Sequence, residues 1–293
     1  MERIFIDESR AKALLPERRP DGNKSTFGRV LLLVGSEKYR GAAHLATEAA
    51  LRGGAGYVTV LSEACVTDGI LLKYPEALLV TSPPFSLLSD SDIKSIRERD
   101  RTSSVTLIGP GCDTSKALAK LTRVLLSSCG APLIVDADAI NSLAKYEVSP
   151  IDNIREAKRP VILTPHPLEL SRLTGIALDE ILAERERTAL RVAASGRCVL
   201  LLKGKNTVIT DGEQLLINGS GSTALAKAGS GDTLAGLLSS LAASGLSPLR
   251  AAAFSAFVHG AAGDALEKSL SPYGVTPSDL PVAMAKVIAS LCK

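Results

Sequence analysis

The sequence predicts an α/β fold, a mostly parallel central sheet with helices on both faces and an antiparallel edge. Three features point there. Short continuous apolar runs recur along the chain, each closed by a small-residue turn; helical stretches separate them; and near residue 210 the rhythm changes to two strands split by Asp211-Gly212-Glu213. Apolar runs without alternation mark strands buried on both faces, and strands alternating with helices mark parallel crossover units.

The strands fall at residues 30–35, 57–61, 105–109, 133–136, 161–164 and 199–203, each an apolar run of four to six residues. Helices are expected over 41–52, 115–127 and 178–195. Strands 207–210 and 214–217 flank the Asp-Gly pair, a hairpin signal that makes this edge antiparallel. The last ~65 residues read as small-residue helices over 232–244, 249–270 and 277–291, and residues 16–26 as a polar loop before the first strand. No linker or repeat interrupts the pattern, so one domain over residues 1–293 is expected.

Composition excludes several function classes. With 45% hydrophobic and 22% charged residues, the chain reads as an ordinary globular protein. Its 34 basic and 31 acidic residues leave a net charge of only +3 with no block of like charge, which argues against a nucleic-acid or membrane-surface protein. Aromatics are 3% and Trp is absent, so no platform exists for stacking single-stranded bases. Cys65, Cys112, Cys129, Cys198 and Cys292 are scattered, and His44, His166 and His259 are not at metal-ligand spacing. A disulfide framework or structural zinc is not expected, and free thiols fit a reducing compartment. The N-terminus is too polar for a signal peptide, and no apolar run approaches the roughly 20 residues that span a bilayer. A cytoplasmic protein is expected.

Parallel sheets bind ligands where strands end in loops at the carboxyl edge. Here those loops are residues 35–41, 109–114, 136–141, 164–169, 203–207 and 218–232. The most informative is Ala228-Gly-Ser-Gly-Asp-Thr-Leu-Ala-Gly236, where paired glycines precede a helix whose free N–H groups suit an anion. Asp232 is either a helix cap or a working carboxylate. His166, between two prolines, is either a structural group or a ligand contact. Asp136, Asp138 and Asn141 either cap the next helix or meet a magnesium ion or substrate. Lys203-Gly-Lys-Asn-Thr207 is either a polar turn or a cradle for nucleotide phosphates. Gly109-Pro-Gly111, Gly219-Ser-Gly221 and Gly229-Ser-Gly231 each miss part of the dinucleotide fingerprint, and the Walker A loop is absent.

Taken in order, these segments resemble the nucleotide-dependent NAD(P)H-hydrate dehydratases of the ribokinase-like superfamily along nearly the whole chain. The likeness is carried by Tyr39-Arg-Gly-Ala-Ala43, Arg52-Gly-Gly-Ala-Gly56, Gly109-Pro-Gly111, Val135-Asp-Ala-Asp-Ala-Ile-Asn141, Leu163-Thr-Pro-His-Pro167, Leu202-Lys-Gly204 with Thr207, and Gly229-Ser-Gly-Asp-Thr-Leu-Ala-Gly236. The resemblance implies repair of hydrated NADH and NADPH. A terminal phosphoryl moves from the nucleotide to the C6 hydroxyl of the S-epimer, and phosphate then leaves. It implies ADP or ATP as co-substrate, ADP being expected here, together with Mg2+. Asp232 would be the base, and Gly229 and Gly231 the anion hole. Ala43, Gly109, Gly111, His166 and Asp232 would contact the hydrated dinucleotide. Lys203, Gly204, Lys205, Asn206, Thr207, Asn218 and Gly231 would hold the nucleotide. No resident metal site is implied with certainty. A homo-oligomer, expected to be a tetramer, and a separate epimerase partner are implied too. Relatives carry a second Asn where this chain has Gly221-Ser222, so Ser222 is the residue left to replace its hydrogen bond. A vitamin-precursor kinase of the same superfamily and a non-catalytic nucleotide-binding regulator are the competing readings.

Overall fold

The computed structural model describes residues 2–293. Its strands are β1 (Arg3–Phe5), β2 (Arg29–Leu33), β3 (Tyr57–Ser62), β4 (Leu78–Thr81), β5 (Val105–Ile108), β6 (Leu133–Val135), β7 (Val161–Leu163), β8 (Val199–Leu202), β9 (Thr207–Thr210) and β10 (Leu215–Asn218). They form one ten-stranded sheet in the order β1-β10-β9-β8-β7-β6-β5-β2-β3-β4. Strand β9 pairs antiparallel with both β8 and β10, and every other pairing is parallel. The expected hairpin is present. The Asp211 carboxylate accepts the N–H groups of Glu213 and Gln214 at 3.0 and 2.8 Å, and the register sets Asn218 opposite Thr207.

Double-sided burial explains why the six central strands lack alternation. In β2, Val30 and Leu32 face one core, while Leu31 and Leu33 face the other. Strands β5 to β8 divide the same way, with Leu107, Ile134, Ile162 and Leu201 on the first face and Ile108, Val135, Leu163 and Leu202 on the second. Side chains of a strand point alternately to opposite faces, so both must be apolar when helices cover both.

Several elements depart from expectation. Strand β1 adds one parallel strand outside the expected antiparallel edge β10-β9-β8, and it precedes the polar loop. Strands β1 and β4 occupy the two edges and are half solvated: Phe5 is 59% exposed and Leu78 51%. Their short runs carry no double-sided apolar signal. The helix expected over 178–195 is two helices, Leu178–Ala183 and Arg185–Gly196, separated at Glu184 (φ −127°, ψ 47°). Residues 136–141 are not a loop, because a helix starts at Ala137 directly after Asp136. Helices Ala64–Lys73 and Asp90–Asp100 lie outside the expected set.

Helix Ser230–Ala243 is almost wholly buried, and helix Arg40–Arg52, whose Ala43, Ala46, Ala49 and Ala50 are buried, packs against it. At Gly236 a Cβ would sit 2.2 Å from the carbonyl oxygen of Ala46. The two backbones therefore touch, and this contact seats the helix whose N-terminus carries Gly231 and Asp232. Gly236→Ala must push the helices apart, at a cost of about 1–3 kcal/mol typical of overpacking. Chemical denaturation is expected to show that loss with an unchanged m-value; a variant as stable as the parent would contradict the close contact.

Candidate active site

The carboxyl ends of β6, β7 and β8 are tied together by side chains. Asp136, 1% exposed, accepts the Thr164 hydroxyl at 2.8 Å and the Lys203 ammonium at 2.7 Å on the same oxygen. The Lys203 N–H donates to the Pro165 carbonyl at 2.9 Å, joining β8 to the following loop of β7. On the other side, the Gly35 N–H donates to Pro110 O at 2.8 Å and links the loops after β2 and β5. The rim predicted from the strand ends is thus a connected structure.

A cavity of about 630 Å³ opens at this rim beside the hairpin. Lys203, Gly204, Lys205, Thr207, Asn218 and Gly231 line it, six of the seven residues expected to hold a nucleotide. Asn206 does not; it sits at φ +53° and lines a separate outer cleft with Lys205. Asn218 is buried, its amide donating to Ala256 O at 3.0 Å, so it shapes the wall. Ser222 uses its hydroxyl to accept the Ala224 N–H and cap the short turn Thr223–Leu225, while the Gly221 N–H donates to Asp264 at 2.9 Å.

Helix Ser230–Ala243 presents its N-terminus to the cavity through Ser230 and Gly231. Gly229, at φ +102°, is the N-cap, and no side chain caps the helix. Asp232 therefore lies inside the first turn, and its carboxylate accepts no hydrogen bond among the described residues, so the capping alternative does not describe it. Burial is the largest influence on Asp232, followed by the charge of Asp136, and the Lys203 ammonium offsets only part of this: its pKa is pushed up to about 7. Glu169 is raised for the same leading reason. Burial works against the Lys203 charge, but Asp136 and Glu169 outweigh it and hold its pKa above the ordinary lysine value. One ammonium faces several carboxylates at this rim.

The Asp136 side chain does not cap its helix either, being engaged by Thr164 and Lys203. Asp138 accepts the Asp113 N–H at 2.9 Å, and Asn141 accepts from Arg172 at 3.0 Å. These three polar residues are therefore committed to different partners. His166 is the N-cap of helix Pro167–Thr174: its Nδ1 accepts the Glu169 N–H at 3.2 Å, and the Glu169 carboxylate accepts the His166 N–H at 2.8 Å. Because Nδ1 accepts the Glu169 N–H, the ring hydrogen sits on Nε2, 3.4 Å from Glu169 Oε1; burial, then Lys203, lowers the ring's pKa. At 47% exposed it is available to a ligand. Structural and ligand roles are compatible in this residue.

The dinucleotide-side residues are less directly placed. Ala43 is fully buried, beneath Gly35. Gly109 lies so close to the next strand end that a Cβ would stand 1.9 Å from Asp136 O, and Gly111 abuts Tyr39 and Ala42. Two residues of the cavity wall are not singled out by the sequence. His259 accepts no proton readily, being lowered to about 4 by burial, and its Nε2–H donates to Ser230 O at 3.0 Å. Ser230 itself is buried with a hydroxyl that has no partner among the described residues. The packing of helix Pro248–Gly274 against the site brings His259 there, and no local motif announces it.

The fold is α/β of ribokinase-like architecture. The model of the NAD(P)H-hydrate dehydratase family matches residues 30–286, and the chain belongs to that family. A bifunctional NAD(P)H-hydrate repair enzyme of Moorella thermoacetica is 37% identical over 99% of this chain and 54% of its own length. The chain thus spans about half the length of the first curated relatives it matches. The ADP-dependent (S)-NAD(P)H-hydrate dehydratase of Bacillus subtilis is 35% identical over 88% of this chain and 87% of its own. The crystal structure of the ADP/ATP-dependent NAD(P)H-hydrate dehydratase from B. subtilis, co-crystallised with ATP/Mg2+, superposes with a TM-score of 0.86 at 30% identity, covering 98% of both chains.

The raised pKa of Asp232 has a stability consequence. Its ionisation is harder in the folded than in the unfolded chain, so the folded state is favoured below the ordinary carboxylate range and loses that advantage as pH rises through about 7. Asp232→Asn removes this penalty. The variant is expected to melt above the parent at pH 8, with the gap closing towards pH 4. A gap independent of pH would contradict a desolvated carboxylate.

Proposed function

We propose that this protein dehydrates the S-epimer of hydrated NADH and NADPH to the working cofactors, consuming ADP in preference to ATP. The observation that carries this reading is Asp232: an uncapped, unbonded carboxylate poised near neutrality, one residue from the cavity-lining Gly231. Pure nucleotide binding would not place an acidic group there, since like charge repels phosphate.

In this reading the cavity takes the nucleotide, with the N–H groups at Gly229 and Gly231 receiving the transferring phosphoryl. Asp232 accepts the proton of the C6 hydroxyl, and that oxygen attacks the terminal phosphorus as the bond to the AMP leaving group breaks. The ring nitrogen then pushes electrons towards C6, the C6–O bond breaks to release phosphate, and loss of a C5 proton completes the double bond. His166, half exposed at the rim, would contact the dinucleotide. Magnesium would arrive with the nucleotide: no group of three or more metal-ligating side chains gathers among the described residues, and phosphate oxygens are the hard ligands it prefers. The activity is assigned to this chain as one domain, working in the cytoplasm as a homo-oligomer, expected to be a tetramer, with epimerisation left to a separate protein. Among the described residues no helix is long and apolar enough to cross a membrane.

The protein mixed with ADP, magnesium and hydrated NADH is expected to restore the near-ultraviolet absorbance of NADH. A phosphorylated product with no absorbance would instead establish a small-molecule kinase, and nucleotide binding without turnover a regulator. Asp232→Asn should lower kcat by about 10²–10⁴ while ADP affinity holds or rises slightly. Near-parental turnover would refute the base assignment. His166→Ala should raise KM for the hydrate and leave ADP affinity unchanged; a variant altered only in melting temperature would show that the cap is its whole role.

A further inference from the structure

The loop 203–207 must hold a shape for its backbone to meet a ligand, and the structure contains a device for that. Arg185 opens helix Arg185–Gly196, immediately after the break at Glu184. Its Nη2 donates to two carbonyls, Leu202 O and Lys203 O, both at 3.2 Å. Among the described residues no carboxylate competes for the guanidinium. Glu184 pairs with Arg187 at 3.0 Å, and Glu186 with Arg3 at 2.7 Å. Arg185 is half-buried without a counter-ion among these residues, and burial lowers its pKa. Its charge is directed to those two carbonyls.

A trans peptide sets each C=O opposite the following N–H. The Leu202 carbonyl on the Arg185 side accordingly turns the Lys203 N–H the other way, onto Pro165 O at 2.9 Å. By the same geometry, the Lys203 carbonyl held by Arg185 turns the Gly204 N–H away from Arg185. Gly204 lines the cavity, and its N–H has no acceptor among the described residues. At φ +137°, with a Cβ position only 2.8 Å from the Arg185 guanidinium, no other residue fits there without displacing the arginine. A free backbone donor is thus aimed from the cavity wall and locked from behind.

We propose that Arg185 is a positioning residue that holds the Gly204 N–H ready for a phosphate oxygen of the nucleotide, an inference that rests on the nucleotide reading above. Arg185 touches no ligand itself. It acts through the peptide between Lys203 and Gly204, and the outer cleft on its far side shares only Lys205 with the nucleotide cavity.

The test is calorimetric titration of the full chain with ADP and with adenosine, alongside steady-state kinetics. Arg185→Met keeps the stem and removes the donors. It is expected to weaken ADP by about tenfold, the effect of losing a preorganised hydrogen bond, while adenosine changes by less than about twofold. KM for ADP should rise without a matching rise in KM for the hydrate. Arg185→Lys, which keeps a donor but not the planar fork, should recover part of the affinity. It also serves if the Met variant fails to fold. Unchanged ADP affinity in either variant, or equal losses for ADP and adenosine, would overturn the positioning role while leaving the nucleotide reading intact. A parent protein that binds neither ADP nor ATP would overturn both.

Discussion

The ion pair between Lys203 and Asp136 holds the site in place. A carboxylate 1% exposed cannot stay charged alone, and Lys203 at 2.7 Å together with the Thr164 hydroxyl at 2.8 Å supplies what water would have given. Because the three residues sit at the ends of β6, β7 and β8, the same bonds that satisfy Asp136 set the three strand ends relative to one another. They also place the ammonium that moderates Asp232 and Glu169. Lys203 is consequently more than the phosphate clamp its sequence context suggests. Its Nζ points to Asp136, and it stands 3.5 Å from where a Cβ on Gly231 would be, beside the N-terminus of helix Ser230–Ala243.

The helix terminus in turn depends on close packing behind it. Helix Ser230–Ala243 is held against helix Arg40–Arg52 by small residues, and His259 fastens Ser230 O from the far side. A pre-set N-terminus needs no reorganisation when charge develops on a phosphoryl group. A helix free to shift by even an ångström would lose that alignment. In the proposed mechanism the buried, small-residue packing of helix Ser230–Ala243 would serve the chemistry as well as the core.

The sequence revealed the parts that rest on local rules. Double-sided apolar runs announced β2, β3 and β5 to β8; Asp211-Gly212 announced the hairpin; Gly229-Ser-Gly-Asp232 announced a helix start. Edge strands β1 and β4 escaped because they are partly solvated and carry no double-sided apolar signal. The break at Glu184 escaped because no glycine or proline marks it, and yet it is what delivers Arg185 to the carbonyls of Leu202 and Lys203. For Asp136 and Asp232, cap and working carboxylate were indistinguishable in sequence, since the choice depends on where each side chain finds partners. For Ala43, burial beneath Gly35 shows a packing role that the glycine-rich context alone did not disclose.

The proposed function rests on one claim, that Asp232 is a base whose pKa is held near 7 by burial among carboxylates, with Lys203 offsetting part of their charge. Infrared difference spectroscopy across pH, comparing the parent with Asp232→Asn, measures this most directly. A carboxyl band that titrates near pH 7 in the parent and is missing from the variant is the expected result. If the two proteins show identical spectra between pH 6 and 8, with all loss confined to the ordinary carboxylate range, Asp232 behaves as a solvated surface acid and the account fails.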